Sequence, residues 1–261
     1  MAEAAAPAKG TRPEGTTSEA DASRKVREMF TRIAPRYDLL NHLLSMQLDR
    51  VWRARTARRL QPILMREDAA VLDLCCGTGD LTLALSRGAK ATIIGADFAH
   101  SMLIRAREKT AASRTPDASG GASSPGPFFE ADALRLPFAS ESFDLVTTAF
   151  GFRNLANYEA GLREIARALK PRGTLAILEF AEPPDNALGN LYRWYFRRVL
   201  PKVGGIISGD SAAYSYLPKS VARFFQPGEL TALMSSVGYE EVASSVWTFG
   251  TVALHTACRP K

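Results

Sequence analysis

In Ala70-Val71-Leu72-Asp73-Leu74-Cys75-Cys76-Gly77-Thr78-Gly79-Asp80, a short apolar run meets two glycines and then a helical pattern over Asp80–Ser86. Glycine at a strand-to-helix turn lets the backbone approach a ligand closely, and the start of the helix adds N–H donors. A dinucleotide-binding loop would continue to a third glycine. Thr82 stands at that position, which weighs against a pyrophosphate ligand.

Outward from this loop the chain alternates. Strands are expected at Ala70–Leu74, Ala91–Ala96, Phe128–Glu130, Phe143–Thr148, Thr174–Phe180, Glu241–Trp247 and Thr251–Cys258. Between the first five, helical spacing appears at Asp80–Ser86, Ser101–Thr110 and Tyr158–Leu169. Strands joined through helices need crossover connections, so the pattern predicts an α/β fold, a mostly parallel sheet with helices on both faces. Only Thr248–Gly250 separates the last two strands, which therefore form an antiparallel hairpin.

Residues 1–23 hold almost nothing large to bury and read as a disordered tail, ahead of one domain over 24–261. Val26, Met29, Phe30 and Ile33 fall at i, i+3, i+4, i+7, an amphipathic helix ended by Pro35. Further helix is expected through Leu43–Leu44 and Trp52–Leu60, making residues 24–66 an N-terminal helical lid. This stretch carries eleven Lys/Arg against three acids. Ala111–Pro127 reads as a flexible, low-complexity insertion, long for a connection within a domain.

A chain of 261 residues, 46% hydrophobic and 23% charged, can bury a core without covalent staples. Three cysteines, two of them adjacent, exclude a disulfide framework and lack zinc-site spacing, so no metal is expected. No apolar run approaches the roughly 20 residues of a membrane span. The N-terminus lacks the pattern of a secretory signal and carries acids unlike a transit peptide, which predicts a cytoplasmic location.

Asp97 closes the second strand, 18 residues beyond Gly79, where a carboxylate can grip a ribose diol or instead cap the following helix. Asp132 and Ala133 follow the third strand, where an acid and a backbone N–H can meet an adenine, or simply form a turn. With Leu169-Lys-Pro-Arg-Gly173 before the fifth strand, these features resemble the class I S-adenosylmethionine-dependent methyltransferases, with their Rossmann-like, seven-stranded sheet. The resemblance implies S-adenosylmethionine as methyl donor. Asp73 and Gly77-Thr78-Gly79 would face its methionine moiety, Asp97 the ribose, Asp132 and Ala133 the adenine, and Ala149 would add a backbone contact.

Tyr37-Asp-Leu-Leu-Asn41-His42-Leu-Leu-Ser45 with Trp52, Phe150-Gly-Phe-Arg153-Asn154, Arg167–Phe180 and Ser215-Tyr216-Leu217 are more specific. They look like the C-methyltransferases of menaquinone and ubiquinone biosynthesis, which methylate a ring carbon of a polyprenylated quinol. The chain departs from that family's pattern at Asp49 (usually His), Leu40 (usually Met), and Ala149 and Ala181 (commonly Ser). A ring carbon attacks only when its hydroxyl loses a proton, so the site needs an oxyanion stabiliser and a proton route. Arg153 and Asn154 are the candidate donors to that oxygen. Water, Tyr37, Asp38, His42 or Tyr216 would take the proton, while His100 and His255 read as structural.

From Leu188 to Leu200 an apolar stripe (Leu188, Leu191, Tyr192, Tyr195, Phe196, Val199) faces away from Arg193, Trp194, Arg197 and Arg198. Such a helix suits peripheral contact with an anionic membrane surface, or packing on the sheet with a solvated basic face. A net charge of +6 also fits a nucleic-acid methyltransferase. The Pro-Pro-aromatic block for exocyclic amines and the Pro-Cys pair are both absent, so no nucleic acid is expected. The remaining alternatives are another phenolic or sterol-like acceptor, and a cofactor-binding scaffold without turnover. The sequence leaves a homodimer open.

Overall fold

A computed structural model describes residues 10–113, 126–199 and 211–261. Three helices come first, α1 (Glu19–Ile33), α2 (Tyr37–Leu44) and α3 (Leu48–Leu64). Strands and helices then alternate as β1 (Ala70–Leu74), α4 (Asp80–Ser86), β2 (Thr92–Asp97), α5 (His100–Ala112), β3 (Phe128–Glu130), β4 (Phe143–Ala149), α6 (Tyr158–Ala168) and β5 (Leu169–Phe180). After α7 (Ala187–Trp194) and a wider, π-helical turn (Tyr195–Val199) come α8 (Ser211–Ala222), α9 (Pro227–Ser236), β6 (Glu240–Trp247) and β7 (Val252–Cys258).

The strands form one sheet of order β3-β2-β1-β4-β5-β7-β6. The first five pair in parallel, and β7 runs antiparallel to both β5 and β6. This is the architecture expected from the alternation. Side chains alternate across β1: Leu72 and Leu74 join the core under α6 and α9, while Val71 packs with Leu81 and Leu85 of α4 and Trp52, Leu60 and Leu64 of α3. β5 begins at Leu169, earlier than expected. Phe143 pairs with Leu169 and Leu145 with Thr174, so Lys170–Gly173 bulges while remaining paired, with Arg172 at φ 64°.

The disordered tail expected through residue 23 is corrected from Gly10 onward. Ser18 caps α1 by accepting from Asp21 N, which starts the helix at Glu19, and Thr11 N donates to Leu155 O at 2.8 Å. Residues 1–9 lie outside the described residues, as does 114–125 of the expected insertion. The helix before that insertion runs on to Ala112. α7 also departs from its expected stripe. Tyr192 and Phe196 stack inward at 5.6 Å, but Leu191 is 60% exposed. Arg193 is held by Asp185 and by Pro183 O rather than left in solvent.

Gly95 on β2 tests the packing around the loop. A Cβ there would lie 2.5 Å from Phe128 Cδ1 and 3.0 Å from Cys76 Sγ. Gly95→Ala is expected to destabilise the chain by about 1–3 kcal/mol in urea unfolding through overpacking. A midpoint equal to that of the parent chain would show that Phe128 yields freely.

Candidate active site

The backbone after β1 turns through left-handed conformations at Cys75 (φ 54°), Gly77 (φ 55°) and Gly79 (φ 83°). It is tied to β2 on both sides. Cys76 N donates to Ala96 O at 3.0 Å, and Gly77 N donates to Asp97 Oδ2 at 2.9 Å. The other oxygen of Asp97 accepts from Ala99 N at 2.8 Å, so the carboxylate is both helix cap and loop anchor. A carboxylate offers about four acceptor directions, and the backbone N–H of Phe98 also favours the charged form of this one. Burial pushes the Asp97 carboxyl up to about 6, against the backbone donors that favour its charged form.

Gly77, Asp97, Asp132, Ala133, Ala149 and Asn154 line one cleft, together with Phe98, Met102 and Cys75. Its empty space, counted out into solvent, is about 640 Å³. Three residues expected in the cofactor set lie outside this lining. Asp73 is fully buried, because strand alternation turns it under α4; it accepts from Thr82 Oγ1 at 2.6 Å and Thr147 Oγ1 at 3.3 Å. Burial raises its carboxyl to about 7. Thr78 faces the N-terminal helices, where its hydroxyl meets Asp38 and, at 3.0 Å, Lys109 Nζ. Gly79 starts α4, where a Cβ would press on Ala106 at 3.2 Å.

Thr78 belongs to an ionic seam between the lid and the loop. Lys109 reaches both Asp38 and Asp80 at 2.6 Å, joining α5, α2 and α4. Next to it His42 Nδ1 lies 2.7 Å from Asp49 Oδ2 and its Nε2 3.8 Å from Asp80, while Arg53 pairs with Asp49 and lies 3.6 Å from Asp80. Burial opposes ionisation of Asp49, but the Ser45 hydroxyl and Arg53 hold its carboxyl below the usual range. The ligand atoms of His42, Asp49 and Asp80 fall within 4.8 Å of one another, and Arg53 already supplies a cation to that cluster. His42, a candidate proton acceptor, is therefore engaged here and does not line either cleft. At position 49, where the resemblance predicts His, the acid receives its imidazole from His42 instead.

A second, larger cleft of about 1440 Å³ opens beside the first. Its walls are aromatic and aliphatic: Met29, Phe30 and Ile33 of α1, Trp52 of α3, Phe180 of β5, Tyr192 of α7, and Tyr195 and Phe196 of the turn after it. Phe30, Tyr37 and Phe150 line both clefts and mark their junction. Burial raises the Tyr37 hydroxyl above its ordinary value, so it stays protonated at neutral pH. Tyr37 and Phe30 meet edge to face at 6.0 Å.

Arg153 lies on the wall of the larger cleft but is 6% exposed. Its Nη1 donates to Glu179 Oε1 at 2.8 Å and to Phe150 O, and its ring neighbour is Phe180 at 5.4 Å. Glu179 is fully buried and also accepts from Arg153 N and Phe180 N. Removing Arg153 would strand that carboxylate, so its truncation perturbs folding as well as chemistry. Among the described residues no hydrogen bond uses its Nη2. Asn154 Oδ1 accepts from Tyr216 OH at 2.9 Å, linking the two clefts through Tyr216. Sequence reasoning missed Glu179 as a partner; the signal was one acid inside the apolar run Leu175–Phe180. His255, read as structural, is buried on β7, and burial lowers its imidazole to about 4, leaving it neutral.

Residues 18–259 match the model of the ubiE/COQ5 methyltransferase family. The demethylmenaquinone methyltransferase of Thermus thermophilus is 48% identical over 89% of this chain and its own full length. The ubiquinone/menaquinone biosynthesis C-methyltransferase UbiE of Geobacter sulfurreducens is 40% identical over 89% of this chain and 87% of its own. Among solved structures, a SAM-dependent methyltransferase from Aquifex aeolicus superposes with a TM-score of 0.53 at 18% identity, over 77% of this chain and 87% of that one. A second, from Thermotoga maritima, reaches 0.60 at 19% identity over 89% and 98%. At such identities these two speak for the fold alone.

Asp97 gives the cleft a testable pH dependence. With a ribose diol on the ionised carboxylate, affinity for S-adenosylhomocysteine would be level above pH 7. Below about 6 it should fall by up to about tenfold per pH unit. Asp97→Asn should weaken binding by about 10–100-fold, the worth of a charge-assisted hydrogen bond, and flatten that profile. Calorimetry from pH 5 to 8 decides; an unchanged profile in the variant would assign the titration elsewhere.

Proposed function

This chain belongs to the ubiE/COQ5 methyltransferase family, and on that footing we propose that it transfers a methyl group from S-adenosylmethionine to a ring carbon of a polyprenylated quinol, with demethylmenaquinol as acceptor. The observation that carries this reading is the junction of the two clefts. A polar one, with a buried acid and close backbone turns, opens onto a deep apolar one through Phe30, Tyr37 and Phe150. The naphthoquinol is preferred because two of the most similar relatives, from Thermus thermophilus and Deinococcus radiodurans, are named demethylmenaquinone methyltransferases.

The residues fit the donor. Gly77 and Cys75 hold the backbone in conformations that bring it against a ligand, and Asp97, which lines the cleft, would take the ribose hydroxyls. Asp132 and Ala133 at the end of β3 would meet the adenine, and Ala149 and Asn154 border the reacting end. S-Adenosylmethionine supplies the methyl on a sulfonium, whose C–S bond electrons return to sulfur as the new C–C bond forms. The protein contributes alignment and a low-dielectric wall. Asn154 and Arg153 stand nearest the junction as donors to an acceptor oxygen, and Glu179 fixes the Arg153 fork. Water takes the hydroxyl proton in this reading, because Tyr37 holds its own proton and His42 is engaged with Asp49.

The experiment is incubation with methyl-labelled S-adenosylmethionine and each demethylated quinol, naphthoquinol and benzoquinol, kept reduced. Label in the naphthoquinol product is expected. Label in the benzoquinol alone would replace the acceptor, and label in neither would overturn the reading.

The same reading extends to a peripheral contact with an anionic bilayer. No described helix is long and apolar enough to cross a membrane. The mouth of the apolar cleft instead carries Met46, 67% exposed, and Phe249, 75% exposed, each on a left-handed turn. α7 lies against the Phe249 turn and adds Leu191 and Trp194, 60% and 59% exposed, with Arg50 and Arg198 exposed nearby in sequence. Flotation with phosphatidylglycerol vesicles at low salt should carry the protein. Met46→Ser with Phe249→Ser should lower binding by about tenfold or more, the worth of two large apolar side chains. A parent chain that stays at the bottom of the gradient would remove the membrane contact.

A further inference from the structure

Residues 10–17 precede the family match, yet they reach the acceptor site. Gly10 is wedged against the loop after Asn154, where a Cβ would come within 1.9 Å of Ala156 O. Thr11, 7% exposed, pairs its backbone N–H with Leu155 O at 2.8 Å, and Arg12 Nη1 donates to Ala156 O at 2.6 Å. Farther along, Glu14 bonds Lys219 of α8 at 2.7 Å, and Lys25 of α1 donates to the carbonyls of Glu14 and Gly15. The segment is thus fastened to the loop, to α1 and to α8.

One contact of this segment points at the chemistry. Thr11 Oγ1 lies 3.0 Å from Tyr216 OH, and Tyr216 OH donates to Asn154 Oδ1 at 2.9 Å. A phenol has one proton. With that proton committed to Asn154, Thr11 must donate to the phenolic oxygen. The chain of donors therefore runs Thr11 to Tyr216 to Asn154. An Asn whose oxygen is held this way turns its Nδ2 the other way, where it reaches Phe150 O at 3.4 Å and Asn154 borders the donor cleft. With Tyr216 donating to Thr11 instead, Asn154 Oδ1 would lose its donor, and only the longer Phe150 contact would hold the amide.

We propose that the Gly10–Thr17 segment is a clasp that completes the acceptor site, with Thr11 a positioning residue that sets the donor face of Asn154 through Tyr216. This rests on the methyl-transfer reading for its kinetic test. In the full-length chain, Thr11→Val should lower kcat for quinol methylation by about three- to tenfold, the worth of one neutral hydrogen bond. The KM for S-adenosylmethionine and the melting temperature should stay near the parent's, and Thr11→Ser should restore kcat. Turnover by Thr11→Val equal to the parent's, or no recovery in Thr11→Ser, would overturn the role of the hydroxyl. A second measurement does not depend on the acceptor: Gly10→Val should speed amide exchange across residues 152–157 in the S-adenosylhomocysteine complex. Unchanged exchange there contradicts the clasp. A parent that methylates neither quinol but shows the exchange effect keeps the clasp and loses the acceptor assignment.

Discussion

The structure turns on one hydrogen bond, from Gly77 N to Asp97 Oδ2. It joins the ends of two neighbouring parallel strands and fixes a backbone turned by left-handed residues at Cys75, Gly77 and Gly79. A carboxylate buried for this purpose is costly unless its oxygens are occupied, and the N–H groups of Gly77, Phe98 and Ala99 act on them. The anchor also lines the cleft, and the same burial brings its carboxyl into the titratable range near neutrality.

Around that anchor the N-terminal helices do two jobs. Their polar residues, Asp38, His42, Asp49 and Arg53, cluster with Thr78, Asp80 and Lys109 of the loop, α4 and α5. Their apolar residues, Met29, Phe30, Ile33 and Trp52, wall the second cleft, which meets the first at Phe30, Tyr37 and Phe150. In the proposed reaction, that junction is where a sulfonium methyl and an electron-rich ring carbon would meet.

Much of this was legible in the chain. Short apolar runs and period-3.6 spacing marked the strands and helices, and the three-residue gap at Thr248–Gly250 gave the antiparallel closure. Asp97, Asp132, Ala133, Ala149 and Asn154, singled out from the sequence, line one cleft. What spacing could not show is how deep in the sheet each acid sits. Asp73 pairs with Gly95 and lies beneath α4, whereas Asp97, on the same face but two residues farther along, closes β2 and opens to the cleft. The pairing of His42 with Asp49, and of Arg153 with Glu179, depends on contacts between residues 7 and 26 apart that no local pattern encodes. The early start of order had a local sign in Ser18 followed by Glu19 and Asp21, a capping sequence hidden in a stretch of otherwise tail-like composition.

The most direct measurement is a crystal structure of the chain with S-adenosylhomocysteine bound. The account predicts both ribose hydroxyls on Asp97 and the sulfur at the junction bordered by Tyr37 and Phe150, pointing toward the apolar cleft. A nucleoside seated away from Asp97, or a sulfur facing solvent with the apolar cleft sealed behind Phe150, would contradict it.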